Sequence, residues 1–345
     1  MKTQPQPKRW LRWHSILNGK ATTEIGRTPR ELVYQRDLLK VYRYHRDTPA
    51  TQGPPILLVY SLVNTPAVLD LLPGRSVVER LLASGYEVYL LDWGIPSALD
   101  YFAGLETYVD LYLRTVVRQV CKLAGVKQVN LLGYCMGGTL AAIYTSRHPR
   151  RVKTLTLLGT PLRFRSEKLL YRWSSDPNMC KPGPLVEAWA VAPPWSFDGY
   201  TLLTLDRKPE VLKSLYDQID NEEFVESYKA MERWVKDNIP MAASLYREFL
   251  EACFLNDELL EGKMDIGGKT VDLSTIKCPV LIINGSTDHL VPPETTGSRE
   301  GVFADQTVIE FPTGHIGLSV SSKSHRSLWP QVTEWMCNQT ATTRN

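Results

Sequence analysis

The sequence predicts an α/β fold: a mostly parallel sheet with helices on both faces, into which a helical cap is inserted. Three observations carry that expectation. Short apolar runs of strand length alternate with helix-length stretches over residues 38–162 and again over 269–345. Between them, over 163–268, the chain is aromatic and punctuated by proline, and no buried parallel strand is readable. At the centre of the first part, the apolar run Gln128 to Leu132 leads through Gly133-Tyr134-Cys135-Met136-Gly137 into helix-friendly Met136 to Tyr144. Glycines on both sides of Cys135 suit a sharp strand-to-helix turn, because a Cβ there would strike neighbouring backbone.

The elements follow in order. Residues 1–37 read as an N-terminal arm, loosely ordered at first, with Trp10 and Trp13 beside Lys8, Arg9 and Arg12. That mixture suits the end of a surface helix. Leu38 to Tyr44 alternates as a strand, and Pro54-Pro55 introduces the buried-strand run Ile56 to Tyr60. Ser76 to Ala83 is helical, Gly85 stops it, and Tyr86 to Leu91 is the next strand. Glu106 to Leu123 has long amphipathic spacing, and Val152 to Leu158 is a strand after the central turn. The cap, Arg163 to Gly268, carries Trp173, Trp189, Pro193-Pro194-Trp195 and Trp234, with helices over Glu222 to Val235 and Met241 to Phe254. So much apolar surface suits a lid that controls access and offers contacts to a partner. The sheet resumes at Val280 to Ile283 and Thr307 to Phe311, and a helix from Lys323 to Cys337 closes the chain.

Composition sets the class. A chain of 345 residues suits one large domain with an insertion, or two domains. Its 43% hydrophobic and 22% charged content is that of a soluble globular protein, and a net charge of +3 gives no reason to expect nucleic acid. No run of eighteen apolar residues predicts a membrane span, and the basic start MKTQPQPKRWLRWHS has no apolar core of a secretory leader. Cys121, Cys135, Cys180, Cys253, Cys278 and Cys337 are scattered without C-x-x-C pairs. Reduced thiols in the cytoplasm are expected, with no disulfide framework and no metal site.

The chemistry starts from Cys135, which stands where the G-x-S-x-G elbow has serine. The following helix points its free N–H groups at the sulfur, which favours thiolate and offers the Met136 N–H to an oxyanion. A lone Gly-x-Cys at a tight turn is equally what packing of a buried thiol produces. Two later sites decide between the readings. The run Val280 to Ile283 leads to Asp288, and Thr307 to Phe311 leads to His315, each in the loop at a strand's carboxyl end. Such loops share one sheet edge, and nucleophile, acid, histidine is the chain order of an α/β-hydrolase triad. Cys135 is then nucleophile, His315 its base, and Asp288 the acid that orients or assists His315. His289, next to the acid, is placed poorly to reach Cys135, and His14, His45, His148 and His325 read as exposed or structural. The second oxyanion donor is expected from Ser61-Leu62-Val63-Asn64, with the Val63 N–H preferred and Leu62 next to it.

The segments VYSLVNTPAVLDLLPGRSVVERLL, VYLLDWG, GYCMGG, WVKDNIPMAASLYREF, GGKTVDLSTIKCPVLIINGSTDHLVPP and GHIGLSVS together resemble polyhydroxyalkanoate synthases. The resemblance runs from Gly26 to Trp335 and is to the catalytic subunit of the short, two-component class III type. Length separates the chain from the long one-component synthases, but poorly from the other short two-component class. The resemblance implies an α/β-hydrolase core with a cap, and polymerisation of (R)-3-hydroxyacyl-CoA, 3-hydroxybutyryl-CoA first among them. It implies a growing polyester chain on cytoplasmic granules, a small non-catalytic partner subunit, and assembly as a homodimer or hetero-oligomer. Its catalytic Cys, Asp and His fall on Cys135, Asp288 and His315. No cofactor is implied, CoA being the leaving group of the substrate. Two other readings compete: a cysteine hydrolase resembling dienelactone hydrolases, and a non-catalytic granule-binding protein on the same scaffold.

Overall fold

Strands buried on both faces need apolar residues at every position, and the central runs supply them. In the computed structural model, which describes residues 6–19, 23–176, 191–192 and 208–341, they form one eight-stranded sheet. Its strands are β1 (Arg30–Arg36), β2 (Leu39–Tyr44), β3 (Ile56–Val59), β4 (Val88–Asp92), β5 (Val129–Tyr134), β6 (Val152–Leu158), β7 (Val280–Gly285) and β8 (Gln306–Phe311). They lie in the order β1-β2-β4-β3-β5-β6-β7-β8. The pairs β1/β2 and β2/β4 are antiparallel, and every pair from β4 to β8 is parallel. Side chains alternate between two cores: Leu57, Val59 and Leu131 on one face, Ile56, Leu58 and Leu132 on the other.

Helices cover both faces. On the first face lie Val116, Val117 and Val120 of the helix Arg114–Leu123, beside Leu140 and Ile143 of Met136–Arg147. On the second lie Val77, Val78 and Leu81, with Trp329, Val332 and Met336 of the closing helix Trp329–Ala341. The helices expected over Glu106 to Leu123 and Lys323 to Cys337 contain π-helical turns, at Thr107–Leu113 and Ser324–Leu328. At the second of these the reason is local. Pro330 lacks an N–H and its ring crowds the carbonyl four residues back, so the preceding turn widens.

The N-terminal segment departs from a simple arm. The sheet begins at Arg30, inside residues 1–37, because β1 pairs antiparallel with β2 at the edge. An edge strand faces solvent on most positions, so its apolar pattern is weak. Residues Gln6–Asn18 are a helix that docks on the cap: Arg9 donates to the Tyr216 carbonyl (2.8 Å) and Arg12 pairs with Glu222 (2.5 Å). Trp13, Ile16 and Leu17 pack there against Leu215, Ile219 and Val225.

The described part of the cap is helical, with helices Leu169–Ser174, Lys208–Asp217, Glu222–Lys236 and Ala243–Phe249, plus one two-residue antiparallel pair. Cys180, Trp189 and Pro193-Pro194-Trp195 lie outside the described residues. The cap is fastened to the loops at the carboxyl edge of the sheet. Trp234 donates its indole N–H to the Thr65 carbonyl (2.9 Å), and the Ile239 N–H to the Val63 carbonyl (3.1 Å). The Ser244 N–H reaches the Tyr101 carbonyl (3.1 Å), and Glu248 accepts from the Leu105 N–H (2.7 Å).

Where the cap leaves and rejoins the core, buried Asp257 clasps both ends. Its Oδ1 accepts from the Phe164 N–H (2.7 Å), while Arg163 and Arg165 stand 3.5 and 3.8 Å from Oδ2. Asp257 also has φ 54°, a conformation that aspartate and asparagine tolerate better than other non-glycine residues. Replacing Asp257 with alanine should therefore lower unfolding stability by about 2 kcal/mol, through an orphaned N–H and a strained backbone. Asp257→Asn should keep most of it. Urea titration of both variants checks this, and an alanine variant as stable as wild type would contradict the clasp.

Candidate active site

The strand β5 ends at Tyr134, and the helix Met136–Arg147 begins two residues later. Cys135 between them has φ 55° and ψ −130°, a backbone conformation that costs a non-glycine residue about 1–3 kcal/mol. The surroundings hold it there. A Cβ on Gly137 would lie 2.2 Å from the Val59 carbonyl oxygen and 2.4 Å from that of Tyr60. One on Gly133 would lie 2.3 Å from the Cα of Gly138. Only glycine permits this approach, which seats the first turn of the helix against the end of β3. The Cys135 N–H is tied to the Leu158 carbonyl of β6 (3.0 Å), and the first N–H groups of the helix have no acceptor within it.

The acid and the histidine arrive on β7 and β8. After β7, the Asp288 N–H turns back to the Gly285 carbonyl (3.0 Å). The two loops are stitched together by Ser286 N–H to Phe311 O (2.9 Å) and Thr287 N–H to Thr313 O (3.2 Å). His315 Nδ1 then lies 2.7 Å from Asp288 Oδ2, with both residues buried. Asp288 Oδ1 accepts from the Leu290 and Val291 N–H groups, at 2.8 Å each, so the carboxylate cannot turn. The His315 ring stacks on Tyr134 (centroids 5.0 Å apart, planes at 17°), whose hydroxyl donates to the His315 carbonyl (3.1 Å). The Cys135 sulfur lies close enough to act on the charge of the ring. Burial alone would push this imidazole down, but the Asp288 carboxylate and the Cys135 sulfur outweigh it and hold His315 well above its usual value.

The structure thus brings Cys135, His315 and Asp288 together, with His315 hydrogen-bonded to Asp288 and its ring near the Cys135 sulfur. His289 lies on the exposed side of the acid loop. His14 and His45 are exposed, His148 sits 3.1 Å from Asp110, and His325 is buried with Nε2 on the Ser319 carbonyl (2.7 Å). Met136 opens the helix beside Cys135. Val63 is half-buried in the loop that starts against the elbow, with its carbonyl engaged by the cap; Leu62 beside it is buried. The free cysteines among the described residues are Cys121, Cys135, Cys253, Cys278 and Cys337.

One contributor escaped the sequence reading. Tyr171, from the cap helix Leu169–Ser174, is buried and donates its hydroxyl to the Leu290 carbonyl (3.0 Å), with Thr295 Oγ1 3.3 Å away. Leu290 is the residue whose N–H holds Asp288. The cap is therefore latched to the acid loop itself. Nothing in Leu-Leu-Tyr-Arg-Trp marks that tyrosine apart from its aromatic neighbours.

The strand order, the positive-φ cysteine after β5, and an acid and a histidine after β7 and β8 agree with the comparisons. The alpha/beta hydrolase fold family matches residues 54–321. Among solved structures, a monoacylglycerol lipase of Paleococcus ferrophilus superposes with a TM-score of 0.51 at 17% identity, covering 87% of this chain and 99% of that one. Its likeness is one of fold. The poly(3-hydroxyalkanoate) polymerase subunit PhaC of Allochromatium vinosum is 34% identical over 93% of this chain and 92% of its own length. The chain belongs to the poly(3-hydroxyalkanoate) polymerase family. The PhaC subunit of Haloferax mediterranei is 39% identical over 92% of this chain, which spans 65% of that longer relative. Among the described residues, no helix is long and apolar enough to cross a membrane.

The two histidines near the acid give separable outcomes. His315→Gln should suppress acylation of Cys135 by about 10²-fold or more, the usual scale for loss of a general base. His289→Gln should leave acylation within a few-fold of wild type, since that ring is exposed. Stopped-flow measurement of the first CoA released distinguishes them, and equal losses would contradict the assignment of His315.

Proposed function

We propose that this chain is a polyhydroxyalkanoate synthase that polymerises (R)-3-hydroxyacyl-CoA through thioesters on Cys135. The observation that carries the reading is a cysteine, not a serine, at the elbow, beside a buried histidine that is itself paired with Asp288. His315 takes the Cys135 proton, and the sulfur attacks the acyl carbonyl of the CoA thioester. The oxyanion is received by the Met136 N–H, with the Val63 N–H as its second donor. The C–S bond to CoA then breaks, and the departing thiolate takes the proton from His315. A thioester has replaced a thioester, so the acyl group stays activated for the next transfer, which a serine ester would not allow. In elongation the 3-hydroxyl of an incoming hydroxyacyl-CoA loses its proton to His315 and attacks the acyl carbonyl. The C–S bond to Cys135 breaks, the sulfur takes that proton back, and the lengthened chain, now on CoA, acylates Cys135 again as in the first step. Water has to be kept from that acyl-enzyme, and the cap latched over the acid loop by Tyr171 suits the task.

The names of the relatives support the polymerase reading over a dienelactone-type hydrolase or a non-catalytic coat protein. The small partner subunit, the homodimeric or hetero-oligomeric state and the association with cytoplasmic polyester granules belong to the same proposal. Incubation with 3-hydroxybutyryl-CoA, with and without a partner subunit, tests it: CoA release should accompany insoluble polyester. CoA release with only free 3-hydroxybutyrate as product would make the chain a hydrolase.

Asp288 separates the two half-reactions. Its oxygens are already engaged by His315 and by two backbone N–H groups, so it acts on an incoming hydroxyl through His315. A thiol gives up its proton far more readily than an alcohol, so the second step needs the stronger base. Asp288→Asn should therefore release the first CoA within about tenfold of the wild-type rate while polymer formation falls by roughly 10²-fold or more. Rapid quench of the first turnover measures this. A burst lost in proportion to the steady state would leave Asp288 a purely orienting residue.

A further inference from the structure

The loop after β4 displays apolar side chains to water. Leu99 is 95% exposed, Phe102 86% and Ile95 64%. Large apolar groups gathered on one exposed loop mark a contact surface. This loop is held firmly. Ser97 and Asp100 form a capping box, the carboxylate accepting from the Ser97 N–H (2.8 Å) and bonded to its hydroxyl (3.0 Å). The Tyr101 carbonyl accepts from the Ser244 N–H (3.1 Å), its hydroxyl accepts from Arg247 (3.1 Å), and its ring meets Phe102 edge-on at 4.9 Å. The exposed groups are thus presented by a preorganised turn braced from the cap helix Ala243–Phe249.

We propose that this loop is the contact by which the protein holds the surface of its own uncharged aliphatic polyester; the inference rests on the synthase reading above. Three features favour that occupant. Asp100 is the sole charged residue between Trp93 and Leu105, and its carboxylate is spent on Ser97, so the loop offers no charge to an ionic partner. The loop leaves the carboxyl end of β4, at the sheet edge that carries Cys135, where a chain growing on the sulfur has to emerge. It is also continuous with the elbow, because Trp93 at its base donates to the Tyr60 carbonyl (2.9 Å), the group packed against Gly137. A deformable apolar polymer can receive projecting side chains without a preformed socket.

The test is co-sedimentation of the full chain with preformed amorphous poly(3-hydroxybutyrate) particles, comparing wild type with the double variant Leu99→Ser, Phe102→Ser. The wild type should pellet with the particles, and the variant's partition should fall by roughly tenfold or more. First-turnover CoA release should stay equal, because neither side chain touches the triad. Leu99→Lys alone, an exposed substitution that spares the core, should reproduce the loss if the double variant misfolds. A wild type that does not pellet, or variants that pellet equally well, would overturn the proposal. So would variants whose sedimentation coefficient without particles drops while their pelleting is unchanged, since the loop would then join copies of the chain. Binding to preformed particles needs no catalysis, so a wild type that pellets but makes no polymer sinks the synthase reading and leaves the surface standing.

Discussion

The arrangement depends on one close approach of backbone to backbone. The first turn of the helix after β5 presses against the carbonyls of Val59 and Tyr60 at the end of β3, with no room for a Cβ at Gly137. This contact forces Cys135 into φ 55°, which lifts its sulfur out of the sheet and aims the start of the helix at it. Two strands away from β5, β7 delivers Asp288, and β8 beyond it delivers His315. A substitution that relaxed the elbow would remove the strain and the site together.

The site is stiff where proton transfer needs precision. Asp288 is pinned by two backbone N–H groups, His315 by Asp288 and by the Tyr134 ring, and Tyr134 in turn donates to the His315 carbonyl. The cap shares in this order. Asp257 clasps its two ends, Tyr171 latches it to the acid loop, and Trp234 and Ile239 tie it to the loop beside the elbow. A cap so attached senses the acid loop directly, and its movement would be felt at Leu290, one bond network from the histidine.

Much of this was legible in the residues. Strands β3 to β7 announce themselves because burial on both faces favours apolar runs, β2 by its alternation and β8 by Val308, Ile309 and Phe311, and the three site residues follow from which loops end the later strands. The antiparallel edge strand β1 was hidden by Glu31, Gln35 and Arg36, which an edge tolerates and a central strand does not. Tyr171 and Asp257 were hidden for another reason: their roles come from partners more than ninety residues away, which no local pattern encodes. The loop proposed to supply the second oxyanion donor lies between these cases. A backbone donor carries no side-chain signature, so Val63 and Leu62 look alike in the sequence.

The central claim is a covalent acyl group on Cys135, and intact-mass analysis of the protein quenched during its first turnover with 3-hydroxybutyryl-CoA tests it most directly. The wild-type protein should be heavier by one 3-hydroxybutyryl unit, mapped by peptide digestion to Cys135, and a Cys135→Ala variant should carry none and release no CoA. An adduct on another residue, or CoA release by Cys135→Ala at the wild-type rate, would contradict it.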